Sequence, residues 1–241
     1  MNPKSKIILL YAGVAVVSAS IISAAVYLRS GMSKQEMPLI KNAGKQTAQE
    51  WFPIQRDLTG VNQAGEQVKL SDLKGKVWIV AEFFAICPHC AQRNGAELRA
   101  IYDEFKGNPD FQIVCISVDP SQDSVERLKE YAAALGADSK NWWFVDAGDE
   151  KATHEYMEKE LKFFGIRERT NPSDIDANGR FSHDLAFMMV DRNWQVVGKW
   201  PLAEARSEEA QKRQPELYET LKTDLYGRLR AELGKPSSSG K

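Results

Sequence analysis

Cys87-Pro88-His89-Cys90 places two thiols two residues apart. Thiols at that spacing can close a disulfide or hold a soft metal ion. The run follows an apolar stretch, Val77 to Phe84, that reads as a buried strand, and it opens a helical pattern over residues 88–106. A helix start favours thiolate over thiol, because unpaired backbone N–H groups and the macrodipole attract negative charge. Pro88 suits a first helical turn, where a missing N–H costs nothing. C-x-x-C on a strand-to-helix turn reads as redox or metal chemistry, with two buried structural cysteines as the plainer alternative. His89, as a cation or dipole over Cys87, would depress the thiol pKa and make the disulfide oxidising. Cys115, the remaining cysteine, lies inside an apolar run and reads as an inert buried thiol rather than a resolving one.

The elements that must position these thiols alternate. A hairpin over 61–68 turns at Ala64-Gly65, and a short turn or loop follows over 71–76. Strand 77–84 leads to the helix that begins at the cysteines. Strand 111–118 leads to helix 122–135, opened by Asp123 or Ser124. A short strand, 142–145, precedes a helix over 151–164. Strand 185–190 pairs with 195–199 across Asp191-Arg192-Asn193. A last helix, 207–233, carries Leu217, Leu221, Leu225, Leu229 and Leu233 and predicts a packing face. Strands alternating with helices imply an α/β fold with both sheet faces covered.

Residues 7–28 contain no charged side chain. At about 1.5 Å per residue a helix of that length crosses a hydrocarbon core of about 30 Å. The run is longer than the core of a cleaved signal peptide and reads as an N-terminal transmembrane helix. Residues 1–28 are then a membrane anchor, 29–50 a polar linker, 51–202 the folded domain and 203–241 a C-terminal helix with a disordered tail. Net charge is −1 from 32 basic and 33 acidic residues, which argues against nucleic acid as a partner. Three cysteines are too few for a disulfide-stapled scaffold. Phosphate loops, Ser-His-Asp arrangements and zinc-spaced clusters are absent from the sequence.

The order hairpin, strand, C-x-x-C, helix, strand, helix, strand, helix, hairpin is thioredoxin-like. Ile116-Ser117-Val118-Asp119-Pro120, running on to Tyr131, is similar to the SCO/SenC family. So are Asp57-Leu58-Thr59-Gly60, Leu70 to Lys76, and Phe181-Ser182-His183 before a strand ending Val190-Asp191. The resemblance covers roughly residues 55–200. It implies a thioredoxin-like fold, a central mixed sheet flanked by helices. It further implies a single-pass protein of the cell inner membrane, with its domain in the periplasm or an equivalent extracytoplasmic space. The implied work is assembly of the copper centre of cytochrome oxidase. Matched motif to motif, the copper ligands are Cys87, Cys90 and His183. The family usually places three residues between its cysteines, where this chain has two.

Residue chemistry agrees with such a set: thiolates select Cu(I), and an imidazole completes a site that also tolerates Cu(II). Ordinary thioredoxins keep a cis-proline in the loop before the equivalent of Leu185, whereas this chain has Ser182-His183-Asp184. A surface loop histidine is the plainer reading of His183. His154 falls in a helix rich in Glu and Lys and reads as a solvated side chain. Glu82 is either a buried acid able to take a proton from Cys90 or a solvent-facing strand residue. Trp142-Trp143 reads as core or sheet edge. A peroxidase would require an Arg and Thr beside one cysteine, and Arg93 alone is thin support.

Two functions follow. One is copper binding and delivery, with thiol redox control, in assembly of the oxidase copper centre; its partner is the copper-receiving oxidase subunit. The other is an enzyme, an extracytoplasmic thiol–disulfide oxidoreductase acting through Cys87 and Cys90 on a cysteine-containing protein.

Overall fold

The computed structural model of the chain describes residues 52–85 and 94–235, together with Ser18 and Ser23. The predicted membrane span (apart from those two serines, both helical and exposed), the linker, Cys87, Pro88, His89, Cys90, Arg93 and the tail after Lys235 lie outside the described residues. Among the described residues no helix is long and apolar enough to cross a membrane. The chain divides into two units, 1–45 and 46–241. The sheet and its helices belong to the second.

In chain order the strands are β1 (Phe52–Pro53), β2 (Thr59–Asn62), β3 (Gln67–Lys69), β4 (Val77–Phe83), β5 (Phe111–Ser117), β6 (Trp142–Asp146), β7 (Arg167–Glu168), β8 (Phe181–Ser182), β9 (Phe187–Val190) and β10 (Gln195–Trp200). The helices are α1 (Ala96–Phe105), α2 (Val125–Leu135), α3 (Glu150–Lys159), α4 (Pro172–Asn178), α5 (Leu202–Ala205), α6 (Glu208–Arg213) and α7 (Leu217–Leu233). Eight strands form one sheet in the order β1-β10-β9-β4-β5-β6-β2-β3. The centre, β4-β5-β6, is parallel, with Val77 opposite Phe111 and Ile113 opposite Trp142. The flanking pairs β4-β9 and β2-β6 are antiparallel. This is the mixed, thioredoxin-like α/β sheet that the element order predicts.

Every residue of β4 and β5 is buried, as a central strand covered on both faces requires. One face carries Trp78, Val80, Val114, Ile116, Met188 and Val190, packed with Met157 and Leu161 of the α3 region. α7 packs on β4, β10 and α5, burying Leu221, Leu225 and Leu229 of the predicted leucine stripe.

Three predicted helices differ in extent. The helix predicted over 151–164 stops at Lys159. Lys162 takes a left-handed φ of 59°, and the turn buries Leu161 and Phe163 beneath the sheet. The helix predicted over 207–233 is two helices. Pro215 falls between α6 and α7, and a proline inside a helix removes an amide and clashes with the preceding turn. The helix predicted from 122 starts at Val125, capped by Ser124. The sequence reading also passed over α4 and the separate β7–β8 pair. Asn171 caps α4 through the Ser173 amide at 3.0 Å, with Pro172 at its first position.

Candidate functional site

Both described flanks of the thiol segment are pinned. On the near side β4 ends at Phe83, whose carbonyl accepts the Val118 amide at 2.8 Å. Phe84 is buried, and the Ala85 amide then donates to the Asp123 carboxylate, 3.0 Å from Oδ1 and 3.2 Å from Oδ2. The Ser117 hydroxyl donates to the same carboxylate at 2.6 Å. Burial pushes Asp123 up to about 6, against the pull of those hydrogen bonds. On the far side the Asn94 side chain donates to the Leu185 carbonyl at 2.9 Å.

His183 lies on the short connection between β8 and β9, two residues before Leu185. Its side chain is 4% exposed, so it is no surface loop histidine. Its ring meets Phe84 edge-on, centroids 5.5 Å apart. Nδ1 is 2.8 Å from the Asp184 carbonyl oxygen. A carbonyl can only accept, so Nδ1 carries the hydrogen and Nε2 keeps the lone pair. Burial lowers the imidazole to about 4, so the ring is neutral at neutral pH. A neutral imidazole with its other nitrogen tied to a carbonyl is a prepared metal ligand.

Glu82 points inward, which decides between the two orientations its sequence allowed. Its side chain is fully buried, and Oε2 accepts the Asp184 amide at 2.8 Å. The same oxygen is 3.7 Å from Nδ1 of His183, while Oε1 has no hydrogen-bond partner among the described residues. Burial raises this carboxyl well above the usual carboxylate range, and the Asp184 charge adds to the shift. Asp184 forms a buried ion pair with Lys199 and accepts the amides of Phe164 at 3.0 Å and Ala186 at 2.9 Å. The loop carrying His183 is thus fixed by hydrogen bonds at Glu82, Asp184 and Leu185.

Cys115 is fully buried, its thiol pushed up to about 12 by burial, with the Trp142 indole N–H donating to Sγ at 3.5 Å. That agrees with an inert thiol. Trp142 is core. His154 corrects its expectation. It is half-buried, with Nε2 2.6 Å from the Val118 carbonyl and its ring edge-on to Phe181. His154 thus ties α3 to the residue that follows β5. Cys87 and Cys90 lie outside the described residues. Among the described residues no three His, Cys, Asp or Glu side chains group to hold a metal ion. A centre of three such ligands that includes His183 would therefore need at least one donor from outside them. Sequence reasoning missed Asn94 and the true partner of Asp123. Neither has a local signal, since each acts across a large gap in sequence.

The SCO1/SenC family profile matches residues 46–217. The SCO1 protein homolog of Bacillus subtilis (strain 168) is 31% identical over 102 residues, 42% of this chain and 53% of that protein. The match thus spans about half the length of that curated relative. Among solved structures, ScoI of Bradyrhizobium japonicum with copper bound superimposes with a TM-score of 0.52 at 18% identity, covering 70% of this chain and 98% of that one. BsSco, a member of the Sco family of cytochrome c oxidase assembly proteins with a disulfide switch, gives 0.50 at 22% identity, covering 71% and 94%. At these identities the likeness is one of fold.

Proposed function

From its membership of the SCO1/SenC family, to which the chain belongs, we propose that this protein takes copper as cargo on Cys87, Cys90 and His183 and delivers it during assembly of the cytochrome oxidase copper centre. The observation that carries the reading is His183: buried, neutral and with its lone pair on Nε2, in a loop touched from both flanks of the thiol segment by Phe84 and Asn94. That donor chemistry fits copper, because two thiolates and an imidazole suit Cu(I) and tolerate Cu(II). The copper-bound Bradyrhizobium protein and the oxidase-assembly protein BsSco, which share the fold, support it. The uncharged run 7–28 supports a membrane anchor, and family membership supports a folded unit in the periplasm or an equivalent space.

Redox state gates the cargo. A dithiol offers two thiolates, and a disulfide offers none. Affinity also falls with falling pH as protons compete for the ligands. With His183 held at about 4, loss of copper above that pH reports the thiols.

The two-residue cysteine spacing favours a second reading, a general extracytoplasmic thiol–disulfide oxidoreductase. Cys87 thiolate attacks a partner disulfide and releases one partner thiolate. Cys90 thiolate then attacks the Cys87 sulfur, freeing the second partner thiolate and leaving the Cys87–Cys90 disulfide. Titration of the reduced full chain with Cu(I) against a competing chelator separates the two. One-to-one binding that weakens about tenfold or more in His183→Ala and in Cys87→Ser supports the copper role. Unchanged affinity in His183→Ala, with brisk disulfide exchange on a model protein disulfide, supports the enzyme and overturns the copper reading.

A further inference from the structure

Asp123 stands one residue before the cap of α2, where a carboxylate ordinarily takes the first free helical amides. That task falls to Ser124, whose hydroxyl accepts the Arg127 amide at 3.4 Å. Asp123 is instead fully buried. Both of its oxygens are within hydrogen-bond reach of the Ala85 amide, and Ser117 holds one of them at 2.6 Å. β4 ends at Phe83. Ala85 stands two residues past that end and two before Cys87. The half-buried Ala85 amide has left the ladder, and Asp123 supplies its partner across 38 residues of sequence.

We propose that Asp123 is a positioning residue for the thiol pair: anchored on Ser117, it fixes the Ala85 amide and so the direction in which the chain leaves β4 toward Cys87. This deepens the function proposed above and rests on Cys87 and Cys90 being the working thiols. Disulfide geometry is narrow in Cα separation and dihedral angle. Where the chain carries Cys87 therefore weights dithiol against disulfide. The groups facing Asp123 are the Ala85 amide from the end of β4, Ser117 of β5, Asp119 of its own loop and Arg127 of α2. Asparagine in its place keeps an acceptor oxygen and the shape and loses the charge. Alanine leaves the Ala85 amide unpartnered.

The test equilibrates the full chain, in detergent, with glutathione redox buffers at about pH 7.5 and counts free thiols by alkylation and mass. Asp123→Ala, with far-UV circular dichroism unchanged, is expected to shift the dithiol–disulfide constant about tenfold, near 30 mV for this two-electron couple. Asp123→Asn is expected to shift it about threefold, the difference from wild type closing at about pH 5, where the native carboxyl is itself protonated. A purely structural role would lower thermal stability and leave the constant alone. A folded Asp123→Ala within twofold of wild type overturns the proposal. If the alanine variant does not fold, the asparagine variant decides. A shift that vanishes at low pH supports the proposal, and equality with wild type at both pH values overturns it. A wild-type chain with no measurable couple and no copper binding overturns the function itself, and this proposal with it.

Discussion

Glu82 and His183 are buried side by side and respond to pH in opposite senses. The folded protein holds the Glu82 proton more tightly than the unfolded chain does, because burial raises that carboxyl. Between the ordinary carboxylate range and the raised value, stability therefore falls as pH rises. For His183 the unfolded imidazole, near 6.5, binds a proton more tightly than the folded one, near 4. Stability is lost as pH falls between those values. Glu82→Gln keeps the acceptor for the Asp184 amide and removes the ionisable group. It is expected to raise the melting temperature by a few degrees, about 3–6 °C, at alkaline pH, with the gain vanishing below the carboxylate range. Thermal unfolding across pH checks this, and a gain that persists in acid contradicts it. At this scale the place of His183 just before β9 was legible from its motif, its burial was not, and Cys87 and Cys90 lie outside the described residues. The inward turn of Glu82 was not, because a strand buried on both faces has no outward side for alternation to reveal. Asp123 was visible only as a cap, since its partner at Ala85 is remote in sequence.

The elements were most legible where turn residues bracket apolar runs. β4, β5 and β6 fall within one residue of their predicted bounds. The stretch from Leu161 to Asp184 was least legible. Its order comes from Asp184, Arg180 and Arg169, which bond to distant backbone and carboxylates rather than to near neighbours in a periodic pattern. Asn171-Pro172 is a capping signal that could have revealed α4. Pro215 likewise announces the break between α6 and α7. One close approach fixes how β2 meets β6. A Cβ on Gly60 would stand 2.5 Å from the Asp146 carbonyl oxygen and 2.6 Å from Val145 Cγ1. Gly60→Ala is expected to cost about 1–3 kcal/mol by forcing these strands apart. Denaturant unfolding measures it, and a loss below about 0.5 kcal/mol would show that the strands shift freely.

The whole folded unit extends past the family match. That match ends at residue 217, where α7 begins. α7 nevertheless covers the sheet with Leu221, Leu225 and Leu229, and is tied down by Trp200, which donates to Asp224 at 2.7 Å, and by Tyr218, which donates to Glu97 of α1. Each buried leucine contributes about 1.5–3 kcal/mol, against a net stability of about 5–15 kcal/mol for an ordinary domain. A chain ending at Glu216 is therefore expected to lose cooperative unfolding and to bind an apolar dye. A sharp transition at the wild-type midpoint would contradict that.

The deep placement of Cys115 has a practical corollary. A sulfur so reluctant to ionise does not compete with the working couple for electrophiles while the sheet stays shut. Its labelling by a slow alkylating reagent thus becomes an internal stopwatch: the rate at which a third modification arrives times the opening of β5 itself, with no added probe.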